Sequence, residues 1–236
     1  MSVYCMIPKT IHYCWFGRNP KPGLAKKCMR SWKKYCKGYE IIEWNEDNFD
    51  LSTAPLYVRQ AYEAKKWAFV SDWVRLKVVY EYGGIYMDTD VEVIRPLDNL
   101  LVNKAFIGFE GTQWIGTNLM GTEPHNAFLQ AFLEDYNHRN FTNPDGTLNQ
   151  TTNVEEITSR FLTQHNLVRN GKQQQAGDFT IYPTDYFSPY DYINGKVRTT
   201  ANTYSIHWFS QSWIKRSKWK TRLSQWWHRI CGTQMK

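Results

Sequence analysis

No stretch of roughly 18 consecutive apolar residues, the length that crosses a bilayer, occurs in this 236-residue chain. Residues 1–9 also lack a charged flank leading into an apolar signal stretch, so the expectation is a chain that neither spans a membrane nor is secreted. Cysteine is scarce: there are five, at positions 5, 14, 28, 36 and 231, with no CxxC pair. An odd number leaves at least one thiol outside any intramolecular pairing, and reduced, buried thiols in a cytoplasmic protein are expected. His12 beside Cys14 gives little support to a zinc centre, because the closed four-ligand set with short paired spacings is missing. Internal repeats and low-complexity tracts are lacking too, which argues against solenoids and arrays. Acidic residues fail in one place. From Lys215 onward there is no Asp or Glu, while Lys215, Arg216, Lys218, Lys220, Arg222, Arg229 and Lys236 occur. Much of the formal net charge of +7 is therefore a property of the tail.

A hydrophobic fraction of 42% over this length supports one substantial core. Periodicity predicts strands at 10–15, 39–44 and 85–87, a helix at 24–35 and one long helical stretch from Leu56 to Tyr82 that stops at Gly83 and Gly84. Alternation of strand and helix implies an α/β fold whose first half is a mostly parallel sheet covered by helices. The second half reads as more mixed, with strands at 105–109, 179–182 and 203–207 and helices at 126–136 and 154–165. Residues 140–153, rich in Asn, Pro, Asp, Gly and Thr, read as a long loop and a candidate acceptor-side element. Open sheets bind ligands outside the carboxyl ends of their strands, where Trp15 and Asp88 would fall.

The chemistry centres on Asp88-Thr89-Asp90, held between the apolar strand Ile85-Tyr86-Met87 and the alternating Val91-Glu92-Val93-Ile94. Two carboxylates at a rigid strand end suit Mg²⁺ or Mn²⁺, which take a carboxylate or two and fill the remaining positions with phosphate oxygens and water. A diphosphate would complete such a shell, and the cation would act as a Lewis acid on the leaving group. On the preceding helix, Phe69, Val70, Trp73, Val74, Leu76, Val78 and Tyr80 form a wide apolar arc, leaving Ser71, Asp72, Arg75 and Val79 on the remainder. Lys77 falls within the apolar arc and is expected to snorkel outward. Asp72 and Arg75 share a face, either as an intrahelical ion pair or as hydrogen-bonding partners for a sugar and a phosphate.

Taken together, Ile7-Pro8-Lys9-Thr10-Ile11-His12 with Trp15-Phe16-Gly17, the run from Phe69 to Arg75, and Tyr82-Gly83-Gly84-Ile85-Tyr86-Met87-Asp88-Thr89-Asp90 resemble the family 32 glycosyltransferases. That family includes yeast-type mannosyltransferases, capsular polysaccharide enzymes and relatives of the glucosylating clostridial toxins. The resemblance covers roughly the first 110 residues. It implies a GT-A type, Rossmann-like mixed sheet flanked by helices, a nucleotide-sugar donor, Mn²⁺ or Mg²⁺, and transfer with retention of configuration. It further implies that Trp15, with Phe16 and Gly17, meets the nucleobase, that Asp72 and Arg75 contact the donor sugar, and that Gly84, Asp88 and Thr89 line the donor. Asp88 and Asp90 would hold the ribose and the cation. Near the end, Ser205-Ile206-His207-Trp208 and Ser212-Trp213 resemble a closing motif, with His207 as a metal ligand and either Ser210 or Ser212 as the small polar partner. Gly116-Thr117-Asn118, Gly121 and Pro124 resemble a stretch lining the acceptor side. His125 and residues 143–149 read as surface rather than acceptor contacts.

The expected division is a glycosyltransferase domain at 1–213 and a basic amphipathic helix at 214–236, where Trp219, Leu223, Trp226, Trp227 and Ile230 share a stripe. Such a helix suits an anionic membrane surface, consistent with a cytoplasmic protein peripheral to the inner face of the membrane. The expected activity is transfer of a hexose from a nucleotide sugar to a glycan or lipid-linked oligosaccharide in surface polysaccharide synthesis. UDP-hexose is favoured as donor; GDP-mannose also fits. No nucleic acid is expected as partner. Competing readings are a non-catalytic basic nucleic-acid- or glycan-binding module and another metal-dependent enzyme of phosphate chemistry.

Overall fold

A computed structural model describes residues 7–210. The order is β1 (Thr10–Cys14), α1 (Gly23–Tyr35), β2 (Glu40–Trp44), α2 (Leu56–Glu63), α3 (Trp67–Tyr82), β3 (Gly84–Met87), β4 (Val91–Val93), β5 (Ala105–Glu110) and β6 (Trp114–Thr122). There follow α4 (Ala127–Asp135), α5 (Asn153–Gln164), β7 (Gln174–Ala176), β8 (Phe179–Tyr182), α6 (Thr184–Phe187), β9 (Tyr190–Asp191), β10 (Lys196–Val197) and β11 (Ser205–His207).

Seven strands form one sheet in the order β2-β1-β3-β6-β5-β8-β7, flanked by helices on both faces. Strand alternation sorts the core between those faces. Ile85 and Met87 pack with Trp32 and Cys28 of α1, whereas Tyr86 between them turns to the face covered by α2, α3, α4 and α5. The expectation of a mostly parallel first half holds for β2, β1 and β3. The sheet as a whole is evenly mixed, because β6 enters antiparallel to both β3 and β5. Its hairpin with β5 turns at Gly111, whose φ of 67° is left-handed. β5 then pairs parallel with β8, and β7 closes the edge antiparallel. Outside this sheet, β11 pairs with β4 and sets His207 opposite Val91.

The single helix expected over 56–82 is two. Ala64 ends α2 with its N–H on Gln60 O, and Lys65 takes a left-handed φ of 57° before α3 begins. Nothing in the local sequence breaks the helix. The bend is held by packing: Tyr57, Val58 and Ala61 are buried from α2, and Tyr62 meets Trp67 edge-on at 5.1 Å across the corner. α3 is buried nearly all round, Val79 included, so the arc carrying Ser71, Asp72 and Arg75 turns inward. Lys77 does reach outward, to Glu81.

Cys14, Cys28 and Cys36 are free and buried, and burial pushes each thiol up to about 12, which leaves them unreactive. Among the described residues no helix is long and apolar enough to cross a membrane. The basic helix expected at 214–236, and Ser212 and Trp213, lie outside the described residues.

Candidate functional site

The site grows from the point where α3 stops. Gly83 takes φ 64° and ψ −163°, a region that only glycine enters readily, and its N–H still bonds Val79 O. The chain reverses there into β3, which runs parallel to β1 with His12 level with Tyr86. Asp88 therefore emerges at the carboxyl end of the parallel strands, close to where β1 delivers Trp15. His12 serves this turn rather than a metal: its Nε2–H donates to Gly83 O at 2.9 Å, and its Nδ1 accepts from Trp44 Nε1 at 3.1 Å.

Arg75 is 6% exposed, and each face of its guanidinium is used. Nη2 meets Asp72 Oδ1 at 2.9 Å, while Nη1 lies 3.3 Å from Asp88 and donates to Thr117 O at 2.9 Å. Its plane stands over the Tyr86 ring at 4.8 Å, and the Tyr86 hydroxyl donates to Asp88 Oδ1 at 3.0 Å. Arg75 is thus both an intrahelical partner of Asp72 and a bridge from α3 to the strand end. Burial pushes Asp72 up to about 6, with Arg75 opposing; Asp88 is raised for the same reason, again against Arg75.

Asp90 sits two residues on, just before β4. Its backbone carbonyl accepts from Trp208 N at 3.0 Å and its Oδ2 from Ser210 N at 2.7 Å, so the segment after β11 is tied to the acidic turn at two points. His207 Nε2 lies 3.5 Å from Asp90 Oδ1, and its Nδ1 lies 3.7 Å from Glu110 Oε2. Burial alone would raise Asp90, yet His207 and Ser210 hold it well below the usual carboxylate range. Burial alone would lower His207; Asp90 first and then Glu110 hold it up at about 10.

One ligand atom each from Asp88, Asp90 and His207 lie within 4.8 Å of one another. Two carboxylates and an imidazole suit a divalent cation and leave positions for phosphate oxygens and water. The expected group therefore suits the residues present.

The residues expected around the donor are placed as follows. Trp15 is half-buried at the end of β1, its Nε1 donating to Asn19 O and Lys21 Nζ standing 5.5 Å from its ring. Phe16 is only 4% exposed and packs against Phe49. Gly17 takes φ 89°, gives its N–H to Glu46 and has Trp67 so close that an added Cβ would stand 2.5 Å from the indole. Thr89 is half-buried between the two carboxylates. Gly84 opens β3 at the end away from Asp88, and the approach of Thr10 O, 2.7 Å from where a Cβ would stand, accounts for its glycine.

Two sets of residues take roles that the sequence did not assign to them. Thr117 and Asn118, expected to line the acceptor side, are each 4% exposed; Thr117 holds Arg75, and Asn118 O accepts the Asp88 N–H at 2.8 Å. Tyr86 was read as part of the apolar strand leading to Asp88, with no role of its own, and its hydroxyl reaches Asp88 two residues on; Glu110 carried no motif, and it meets His207 only through the pairing of distant strands. Of the two serines, Ser210 is seen to reach Asp90.

Residues 22–107 match the family model described as the glycosyltransferase sugar-binding region containing DXD motif. Over those residues the chain is similar to the DXD-containing glycosyltransferases. It is 30% identical over 151 residues to inositol phosphoceramide mannosyltransferase 1 of Schizosaccharomyces pombe, a match covering 58% of this chain and 46% of that protein. It is 24% identical over 233 residues to an uncharacterized glycosyltransferase of Acanthamoeba polyphaga mimivirus, covering 90% of this chain and 86% of that one. A solved glycosyltransferase involved in the glycosylation of the major capsid of PBCV-1 aligns with a TM-score of 0.45 at 11% identity, over 92% of this chain and 98% of that one. The chain thus spans less than half the length of the yeast mannosyltransferase.

Proposed function

We propose that this chain is a metal-dependent, retaining glycosyltransferase that moves a hexose from a nucleotide sugar to a glycan or lipid-linked acceptor. What supports the reading is one juxtaposition: the Asp88, Asp90 and His207 cluster shares Asp88 with the buried Asp72–Arg75 pair. A bound Mn²⁺ or Mg²⁺ would offset the charge that develops on a departing nucleotide diphosphate. Arg75 holds Asp88 at the strand end, Tyr86 occupies one of its oxygens, and Asp72 offers a carboxylate oxygen to sugar hydroxyls beside them. Trp15 is the face against which a base would stack. UDP-hexose remains the favoured donor. The yeast relative is a mannosyltransferase by name, so GDP-mannose stands beside it. Surface polysaccharide synthesis, and attachment of the basic tail to an anionic membrane, belong to the same proposal.

The test is nucleotide diphosphate release from a panel of UDP- and GDP-sugars, with and without Mn²⁺, for the wild type and Asp90→Ala. Metal-dependent release from one sugar nucleotide, lost in Asp90→Ala, is expected. Release indifferent to both metal and Asp90 would remove the metal role. Failure to bind any sugar nucleotide would remove the transferase reading.

A further inference from the structure

Glu110 ends β5, far from the acidic turn in sequence, yet its carboxylate faces the cluster from the other side of His207. The His207 ring presents Nε2 to Asp90 at 3.5 Å and Nδ1 to Glu110 at 3.7 Å. Nδ1 is buried and makes no hydrogen bond among the described residues, so a polar atom in the heart of the site is aimed at Glu110 alone of the contacts found. An imidazole can offer Nε2 to a cation only when its remaining proton sits on Nδ1, and that proton needs an acceptor.

We propose that Glu110 is the positioning residue that orients His207, accepting the Nδ1 proton so that Nε2 faces the Asp88–Asp90 side as a ligand. The inference rests on the metal reading above and adds to it the residue that sets the ring.

Three features of the fold support the assignment. The ring has little freedom to turn away, since Phe209 covers it at a centroid distance of 4.0 Å. Phe209 reaches that position in a left-handed conformation, φ 45°, which is strained for a bulky residue and is held by its surroundings. The space for the carboxylate is kept open by Gly116 on the paired strand: a Cβ there would stand 3.0 Å from Glu110 Oε2 and 2.5 Å from Asn118 Oδ1. A movement of under about 1 Å brings 3.7 Å to an ordinary N–H···O length. Glu110 is not itself a ligand beside Asp90, because it meets the opposite nitrogen of the ring.

Mn²⁺ affinity, read from the free-ion EPR signal in titrations of the whole chain, separates the alternatives without reference to turnover. Glu110→Ala is expected to weaken Mn²⁺ binding by about 10- to 100-fold, the usual effect of losing the carboxylate behind a ligating histidine. Glu110→Gln keeps the shape and an oxygen acceptor, and is expected to recover part of that loss; should Glu110→Ala not fold, it carries the test. In a His207→Ala background, Glu110→Ala is expected to have no further effect. An affinity of Glu110→Ala equal to wild type, or an equal loss with His207 already removed, would overturn the assignment while leaving the metal site standing. Wild type that takes up no Mn²⁺ would instead overturn the metal reading, and this inference with it.

Discussion

Arg75 stands between two carboxylates, and the closer junction for function is with Asp88, 3.3 Å away across the gap between α3 and the end of β3. The second carboxylate, Asp72, lies one turn back on the same helix at 2.9 Å. Thr117 O and Oγ1 take the remaining capacity of Nη1, at 2.9 and 3.2 Å. The guanidinium therefore joins helix, strand end and β6 in one buried network, and its charge is what makes the burial of two acids tolerable.

Removing that charge should cost far more than one hydrogen bond. Arg75→Ala leaves Asp72 and Asp88 facing each other without a cation and orphans Thr117 O. A loss of about 3–5 kcal/mol in unfolding free energy, from urea denaturation at neutral pH, is expected. Arg75→Lys should recover only part, because one ammonium cannot reach Asp72, Asp88 and Thr117 from a single fork. A loss below about 1 kcal/mol for Arg75→Ala would show that water already solvates the acids and that the network is not a unit.

The parts of this arrangement that could be read in the sequence were those marked by local chemistry. Gly83 and Gly84 announced the end of α3, three apolar residues announced β3, and Asp88 and Asp90 followed at once. The joint between α2 and α3 had no such mark, because Lys65 adopts its left-handed turn for the sake of packing at Tyr62 and Trp67. β6 was hidden for the opposite reason. Its glycines at 116 and 121 look like loop residues, yet each is required where Glu110 or Phe106 crowds the strand. Thr117 was read as part of an acceptor-side stretch, but its hold on Arg75 has no local mark because the two are 42 residues apart, and Glu110 had no mark at all, since it meets His207 only once β5 and β11 are in place.

His12 makes a pH-dependent contribution whose sign follows from its burial. Burial lowers it from 6.5 to about 4, against the opposing hydrogen bond to Gly83 O. The unfolded chain therefore binds the proton more readily between those values, and stability falls as pH drops from about 6.5 toward 4. The shift corresponds to roughly 3 kcal/mol once pH is below both values. His12→Asn should be less stable at pH 7, having lost the bridge between Trp44 and Gly83, but its own stability should fall less between pH 7 and 5. Denaturation midpoints of the two proteins at both pH values test this, and equal slopes would exclude His12 as the titrating group.

Gly83 offers a test of how the α3 stop places the site. Its φ of 64° with ψ −163° is essentially closed to residues with a Cβ, and an added Cβ would meet Pro124 Cδ at 2.7 Å and Pro124 N at 2.9 Å. Gly38 is a natural control: φ is 79°, but nothing lies within 4 Å of its would-be Cβ. Gly38→Ala should cost about 1–2 kcal/mol for the left-handed backbone alone. Gly83→Ala should cost more, by about 1–3 kcal/mol, because backbone strain and collision with Pro124 add. The excess should also appear in Mn²⁺ affinity, since Gly83 O anchors His12 and the same turn sets the start of the strand that ends at Asp88. Equal costs for the two substitutions would mean that the chain can leave α3 by another route without moving Asp88.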